Sequence, residues 1–456
     1  MSSDSFAGKS IGAMHEQMRA GKLSAQDLAE ICIARIAAVE ADCLAWENFA
    51  ADILRQQARA CDQRLASGQP LRLLEGMPVA VKDIINTTEY PTQMGSPLWQ
   101  GFTPGNDARL VYNFKRQGGL TAGKSVTAEF AVHALGKTKN PHDATRNPGT
   151  SSSGSAAAIA AGMVPFALGT QTAGSIVRPS SYCGVWGCKP SFGLLPRTGM
   201  LKTTDTLDTA GFFVGSASDL QRGWQSLRVA GRDYPIAERA MSDPARNSRP
   251  AGRPWKIALL QTHTWQYACE ESKQALHNWA QQVSRDSRFV VEICEAPAIL
   301  QQAHATHATI YERTLHYYFQ QEHQQAEFVS PVMNEMLARG GQIATPAFVA
   351  AMALQEQMAA EMDAFLSGYD ALLSLSTSAC APLRDEDEKP DPALIWTMTH
   401  LPVVAAPAFV NQAGLPFGLQ LAARRYNDLQ LFCLVEDLCA AGFLPEAQHP
   451  RALAGK

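Results

Sequence analysis

Long apolar runs are missing from this chain. No stretch of about 18 consecutive apolar residues occurs, so no membrane-spanning helix is expected. The first twenty residues hold no apolar core of the kind that heads a secretory signal. An excess of basic charge is missing too: 39 Lys and Arg stand against 43 Asp and Glu, a formal net charge of -4. Chains that bind nucleic acid carry a basic patch or stripe, so nucleic acid is not an expected partner. The ten cysteines form no CxxC pair, and no Cys/His set stands at zinc-finger spacing. Several cysteines lie in apolar runs and read as small hydrophobes. Internal repeats and low-complexity tracts are absent. These absences leave a globular, cytoplasmic chain with reduced thiols and no membrane partner as the expectation.

What is present is a dense run of small and hydroxyl-bearing residues between Asn147 and Pro190. It opens on Thr150-Ser151-Ser152-Ser153-Gly154-Ser155 and continues through a small apolar segment from Ala156 to Met163. A short hydrophobic run, Val164 to Leu168, leads to a second such loop, Thr170-Gln171-Thr172-Ala173-Gly174-Ser175. Two serine-bearing loops therefore flank one buried helix and one buried strand. Glycine permits close backbone approach or positive φ. The serines are either helix caps or participants in chemistry. One or two caps are expected, and capping alone leaves most of these hydroxyls unexplained.

Elsewhere the pattern alternates. Residues 10–66 read as helical, with Ile11, Met14, Met18, Leu28, Ile31, Ile33 and Ile36 at helix-like spacing and a capping box from Ser24 to Asp27. Val79 to Val81 reads as a buried strand ending at Lys82, and Leu120 to Ala122 as another. Residues 191–213 read as loops, and 231–255 as an exposed connection. Lys256 to Leu260 resumes a strand, and residues 270–366 read as mostly helical. Asp370 to Ser376 is strand-like, and Arg384 to Asp391 reads as a charged, exposed loop. Two apolar segments, Ala405 to Phe409 and Leu415 to Leu421, flank a turn, and Leu429 to Leu438 closes as a helix. Alternating strands and helices indicate an α/β fold around a central sheet.

A nucleophile at Ser175 would need a base and donors for an oxyanion. The run Thr172-Ala173-Gly174-Ser175 could aim backbone N–H groups at one point. No histidine lies in this stretch, and the GxSxG pattern is absent around Ser175, so a histidine triad is unsupported. Lys82 is the other candidate base. Burial would favour its neutral amine, although a stem that packs while the ammonium reaches water is the ordinary reading of such a lysine. His304 and His307 share a helix face, and a metal reading would draw on Glu312 or His316. Polar residues lining a pocket or a wet face are the favoured reading of that group.

The sequence resembles the amidase signature family. The resemblance rests on PGTSSSGSAAA from Pro148 to Ala158, GTQTAGSIVRP from Gly169 to Pro179 and CGVWGCKPS from Cys183 to Ser191. GMPVAVKD from Gly76 to Asp83, Gly123-Lys124 with Glu129, and GLPFGLQ from Gly414 to Gln420 extend it. It implies one amidase domain throughout, a mixed, twisted central β-sheet surrounded by α-helices, with N-terminal helices over about 10–66. A signature core over about 74–215, a helical substrate region over about 270–366 and the rest of the core over about 367–440 would follow. It also implies a Ser–Ser–Lys triad with a cis peptide at the middle serine. By motif position the nucleophile is Ser175, the bridging serine Ser151 and the base Lys82. Thr172, Ala173, Gly174 and Ser175 would form the oxyanion hole, and Ser152 would support Lys82.

The chemistry so implied is hydrolysis of an amide C–N bond through an acyl-enzyme, without metal or cofactor. A small-molecule amide is the implied partner, and a homodimer is left open. Three departures stand out: Thr150 and Ser153 replace glycines, Ala173 replaces another, and Val177-Arg178 reverses the usual order before Pro179. Substrate selection is expected from the Tyr90–Ser96 loop, including Met94, and from Tyr311, Arg313 and His316 on one helix. Ordinary helix packing is the alternative for those residues. Two other functions fit the sequence: the glutaminase (A-type) component of a tRNA-dependent amidotransferase, and a catalytically silent binding or scaffold protein.

Overall fold

The computed structural model describes residues 5–229, 241–244, 246–445 and 453. An eleven-stranded sheet runs through it. Its strands are β1 (Trp46–Phe49), β2 (Pro78–Lys82), β3 (Leu120–Ser125), β4 (Phe166–Gln171), β5 (Trp186–Lys189), β6 (Thr209–Val214), β7 (Trp255–Gln261), β8 (Phe289–Glu295), β9 (Ala371–Leu375), β10 (Val403–Val410) and β11 (Pro416–Ala422). Their order across the sheet is β1-β3-β2-β4-β6-β5-β10-β11-β9-β7-β8. β2 runs parallel to both β3 and β4, and β7 parallel to both β8 and β9, while the centre is antiparallel. The sheet is therefore mixed, and helices surround it.

The strands β2, β3, β4, β5 and β6 are buried along their whole length. That burial explains why their apolar runs are near-continuous rather than alternating. The helix Ser153–Ala160 (SGSAAAIA) lies against this part of the sheet. Its small residues are what let it sit so close. A Cβ added at Gly154 would come within 2.3 Å of Ala45 O and 2.4 Å of Val126 N.

Several expectations need correction. The helical reading of residues 10–66 is interrupted by β1, which pairs antiparallel with β3. The segment read as loops, 191–213, contains most of β6, which is held between β4 and β5. β5 was not anticipated, and β8 breaks the helical stretch 270–366 as an edge strand of alternating exposure. Strand preference depends on what the segment packs against, which a local reading does not contain. The Arg384–Asp391 loop is only partly exposed, because Asp391 is buried. Of the connection read over 231–255, residues 231–240 and 245 lie outside the described residues. The Ser24–Asp27 capping box is present, with Asp27 N donating to Ser24 Oγ at 3.0 Å and Ser24 N to Asp27 Oδ2 at 2.8 Å. The helix Asp428–Ala440 and the β10–β11 hairpin also match their expected places.

Candidate active site

β2 delivers Lys82 to the point where β4 ends and the loop before the helix Ser153–Ala160 begins. Lys82 is fully buried, and its Nζ lies 2.7 Å from Ser151 Oγ, 2.9 Å from Thr170 Oγ1 and 3.0 Å from Ser152 Oγ. The peptide bond between Thr150 and Ser151 is cis. Burial pushes the Lys82 pKa well below its ordinary value, and the Asp208 charge opposes this only in part.

Two other lysines of the sheet, Lys124 on β3 and Lys189 on β5, are equally buried, and they show what is different about Lys82. Lys124 sits 3.2 Å from the Asp83 carboxylate and donates to Thr92 Oγ1 at 2.6 Å. Lys189 donates to the carbonyls of Leu401 and Pro190. Burial lowers both to about 8. Carboxylates and carbonyls only accept, so they suit an ammonium donor. The three partners of Lys82 are hydroxyls, which also donate. Ser152 Oγ donates to Thr170 O at 3.2 Å, so it receives an N–H from Lys82. A neutral amine has two N–H groups and one lone pair. Its three hydroxyl partners outnumber those two N–H groups, so one hydroxyl can donate to the lone pair.

The expected caps are replaced by other contacts. Ser152 occupies the N-cap position of the helix but makes no capping bond, and Ser155 Oγ donates to Leu168 O at 2.8 Å. The hydroxyls of this loop hold sheet and lysine rather than helix end.

Beyond β4, the turn 172–175 is fixed from outside. Gln171 Oε1 accepts from Ile176 N at 2.9 Å and Val177 N at 3.0 Å, closing the turn on itself. Thr172 Oγ1 donates to Asp208 Oδ1 at 2.8 Å. The carbonyl of Thr172 accepts from His307 Nε2 at 3.0 Å, and that of Ala173 from Thr397 Oγ1 at 2.8 Å. Burial lowers His307 to about 4, so at neutral pH it is the uncharged imidazole that donates. With the carbonyls held, the N–H groups of Ala173, Gly174 and Ser175 meet no protein acceptor among the described residues. Such a turn can receive an oxyanion. Gln171, His307 and Thr397 were not anticipated as turn supports. His307 and Thr397 act on the turn from far away in sequence, so no local signal marks them.

A cavity of about 640 Å³ opens over both loops, bordered by Thr150 and Ala173. Tyr311 lines it, together with His133, His304 and Glu312. Arg313 and His316 do not line it; the His316 imidazole instead meets Leu337 O at 3.0 Å. Met94 is buried outside the cavity wall, with its N–H donating to Asp83 O at 2.9 Å. A larger cavity, about 890 Å³, lies under the first helix against Trp186 and touches neither loop. Among the described residues no group of three His, Cys, Asp or Glu is arranged to hold a metal ion. No described helix is long and apolar enough to cross a membrane.

A family model described as Amidase matches residues 27–432. The chain belongs to the amidase family. Both serine loops, Lys82 and the turn all fall inside the matched region. Among curated amidase relatives, the A-type component of the glutamyl-tRNA(Gln) amidotransferase of Chloroflexus aggregans is 39% identical over 216 residues, 46% of this chain and 44% of that protein. The chain thus spans less than half the length of that relative. A solved peptide amidase from Stenotrophomonas maltophilia is 25% identical with a TM-score of 0.83, over 98% of this chain and 99% of its own. A chain from a vestigial complex that bears on the origins of an s-triazine catabolic enzyme gives a TM-score of 0.86 at 25% identity. That match covers 96% of this chain and 100% of its own.

Proposed function

We propose that this amidase hydrolyses the C–N bond of a small-molecule carboxamide through an acyl-enzyme on Ser175, releasing ammonia or an amine and a carboxylic acid. The observation that carries this is the fully buried Lys82 amine, whose hydrogen-bond partners among the described residues are all hydroxyls. Neutral Lys82 takes the Ser151 proton as Ser151 takes the proton of Ser175. The Ser175 oxygen adds to the amide carbonyl, and the new oxyanion is met by the N–H groups of the 172–175 turn. The tetrahedral intermediate collapses as the C–N bond breaks, and Ser151 returns a proton to the leaving nitrogen. Water then attacks the ester by the same relay in reverse. Ser152 holds Lys82 without taking part in transfer.

Ser175→Ala tests the assignment. It should abolish amide hydrolysis and labelling by a fluorophosphonate, and a variant that keeps full activity overturns it.

A second reading, the glutaminase component of an amidotransferase, is favoured by the similarity to the Chloroflexus protein. The cavity speaks against it. Glutamine presents an α-carboxylate, and the cavity arginines are already engaged. Arg178 is bound by Asp391 and Glu388, Arg339 by Glu312, and Arg384 by the Thr138 and Gly136 carbonyls. Asp385, Glu386 and Asp387 add further negative charge at the mouth, against Lys389. A neutral or cationic amide suits this wall better. Ammonia release measured on the purified chain, with glutamine against uncharged and amine-bearing amides, decides between the readings. Glutamine as the preferred substrate establishes the second.

A further inference from the structure

Two departures from the family pattern, Thr150 in the first loop and Arg178 just after the second, meet on one side chain. Glu388 Oε1 accepts from Thr150 N at 3.1 Å and from Asn147 Nδ2 at 3.1 Å. Glu388 Oε2 accepts from Thr150 Oγ1 at 3.0 Å and lies 2.8 Å from the Arg178 guanidinium. Four donors thus converge on a carboxylate whose side chain is only 14% exposed. Arg178 is buried as well, and burial acts against its charge. The Asp391 and Glu388 carboxylates outweigh that and hold it protonated. Asp391 Oδ2 binds Arg178 Nε at 2.8 Å, and Asp391 Oδ1 accepts from Ala393 N at 3.1 Å, at the start of the helix Ala393–Met398. That helix carries Thr397, which holds the Ala173 carbonyl.

One continuous segment, 388–398, therefore grips three points: the residue before Ser151, the residue three after Ser175, and the turn between β4 and Ser175. We infer that Glu388 is a positioning residue, which sets the distance between Ser151 and Ser175 by tying Thr150 to Arg178. This rests on the Ser175–Ser151–Lys82 reading proposed above. Glu388 moves no proton in the reaction. It fixes the two loops relative to each other, and proton transfer between the serines is sensitive to that geometry.

The test is Glu388→Gln, which keeps the shape but places an NH2 group or a neutral oxygen against Arg178 and Thr150. The measurements are kcat, KM, the rate of Ser175 labelling by a fluorophosphonate, and Tm. A positioning role predicts that kcat and labelling rate fall together, between about tenfold and 100-fold, with KM within about twofold. Thr150→Gly should cost less. The double variant should cost clearly less than the product of the two single losses, because both break one link. A folded Glu388→Gln protein with wild-type kcat and labelling rate overturns the inference, as does a double variant whose losses simply multiply. If Glu388→Gln does not fold, Thr150→Val removes one hydroxyl at almost constant volume. It must then lower kcat and labelling with KM unchanged, and an unchanged kcat overturns the inference. Ser175→Ala is run beside these. Loss of activity there with a neutral Glu388→Gln sinks only the positioning role, whereas full activity of Ser175→Ala sinks the reading beneath it.

Discussion

Lys82→Met removes the amine and keeps most of the buried stem. Without the base, hydrolysis should fall by about 100- to 10,000-fold, the usual contribution of a positioned proton acceptor. Stability should respond in a pH-dependent way, with a sign fixed by burial. The folded-state pKa of Lys82 is depressed below its ordinary value of 10.5. Between those two values the unfolded chain binds a proton that the folded chain does not, so wild-type stability rises with pH across that window. The slope is at most about 1.4 kcal/mol per pH unit. Met also forfeits three hydrogen bonds of about 1 kcal/mol each. Near pH 10.5 the variant should therefore be less stable by about 3 kcal/mol. Moving down from there narrows the gap for as long as the folded amine stays neutral. Lys124 and Lys189 titrate in both proteins and cancel in the difference. Urea unfolding of both proteins at half-unit steps from about pH 7 to about pH 10, with ammonia release assayed alongside, reads both effects. A stability gap independent of pH, or hydrolysis within tenfold of wild type, would refute the neutral-amine argument.

Two further expectations are sharp enough to check. Ser151→Ala deletes the hydroxyl 2.7 Å from Lys82 Nζ, the one proposed to relay the Ser175 proton, so hydrolysis should drop by about 100-fold or more while Tm moves only a few degrees; near-normal kcat would remove Ser151 from the relay. Gly154→Ala drives a methyl to within 2.3 Å of Ala45 O. It should cost about 3 kcal/mol in denaturant unfolding, and a neutral result would show that the helix can retreat from the sheet.

What could be read from the sequence was whatever depends on close backbone approach. The strand ending in Lys82 and the two serine loops carry small residues because neighbouring backbone leaves no room for larger ones, as at Gly154, and that constraint is written locally. The pocket was not local in this sense. Tyr311 reaches the cavity, but His316, five residues on, meets Leu337 O on the helix Pro331–Gln342. Helical spacing alone did not separate those two directions. β1 and β6 were missed for a related reason. Trp46–Phe49 becomes a strand because β3 offers Gly123, where a Cβ would lie 2.3 Å from Asn48 O, and that fit involves residues more than seventy positions apart. Arg178 looked misplaced within its motif. Its partners, Glu388 and Asp391, stood in a loop whose charges suggested solvent.

The grip of segment 388–398 on the two loops also orders events in time. A nascent chain that has emerged only to residue 380 already carries Lys82, both serines and β4. It still lacks both carboxylates that bind Arg178 and the hydroxyl that holds the Ala173 carbonyl. Because chains emerge and fold from the N-terminus, competence for hydrolysis would arrive late in synthesis. A partly made chain would then hold the reactive groups without the frame that aligns them.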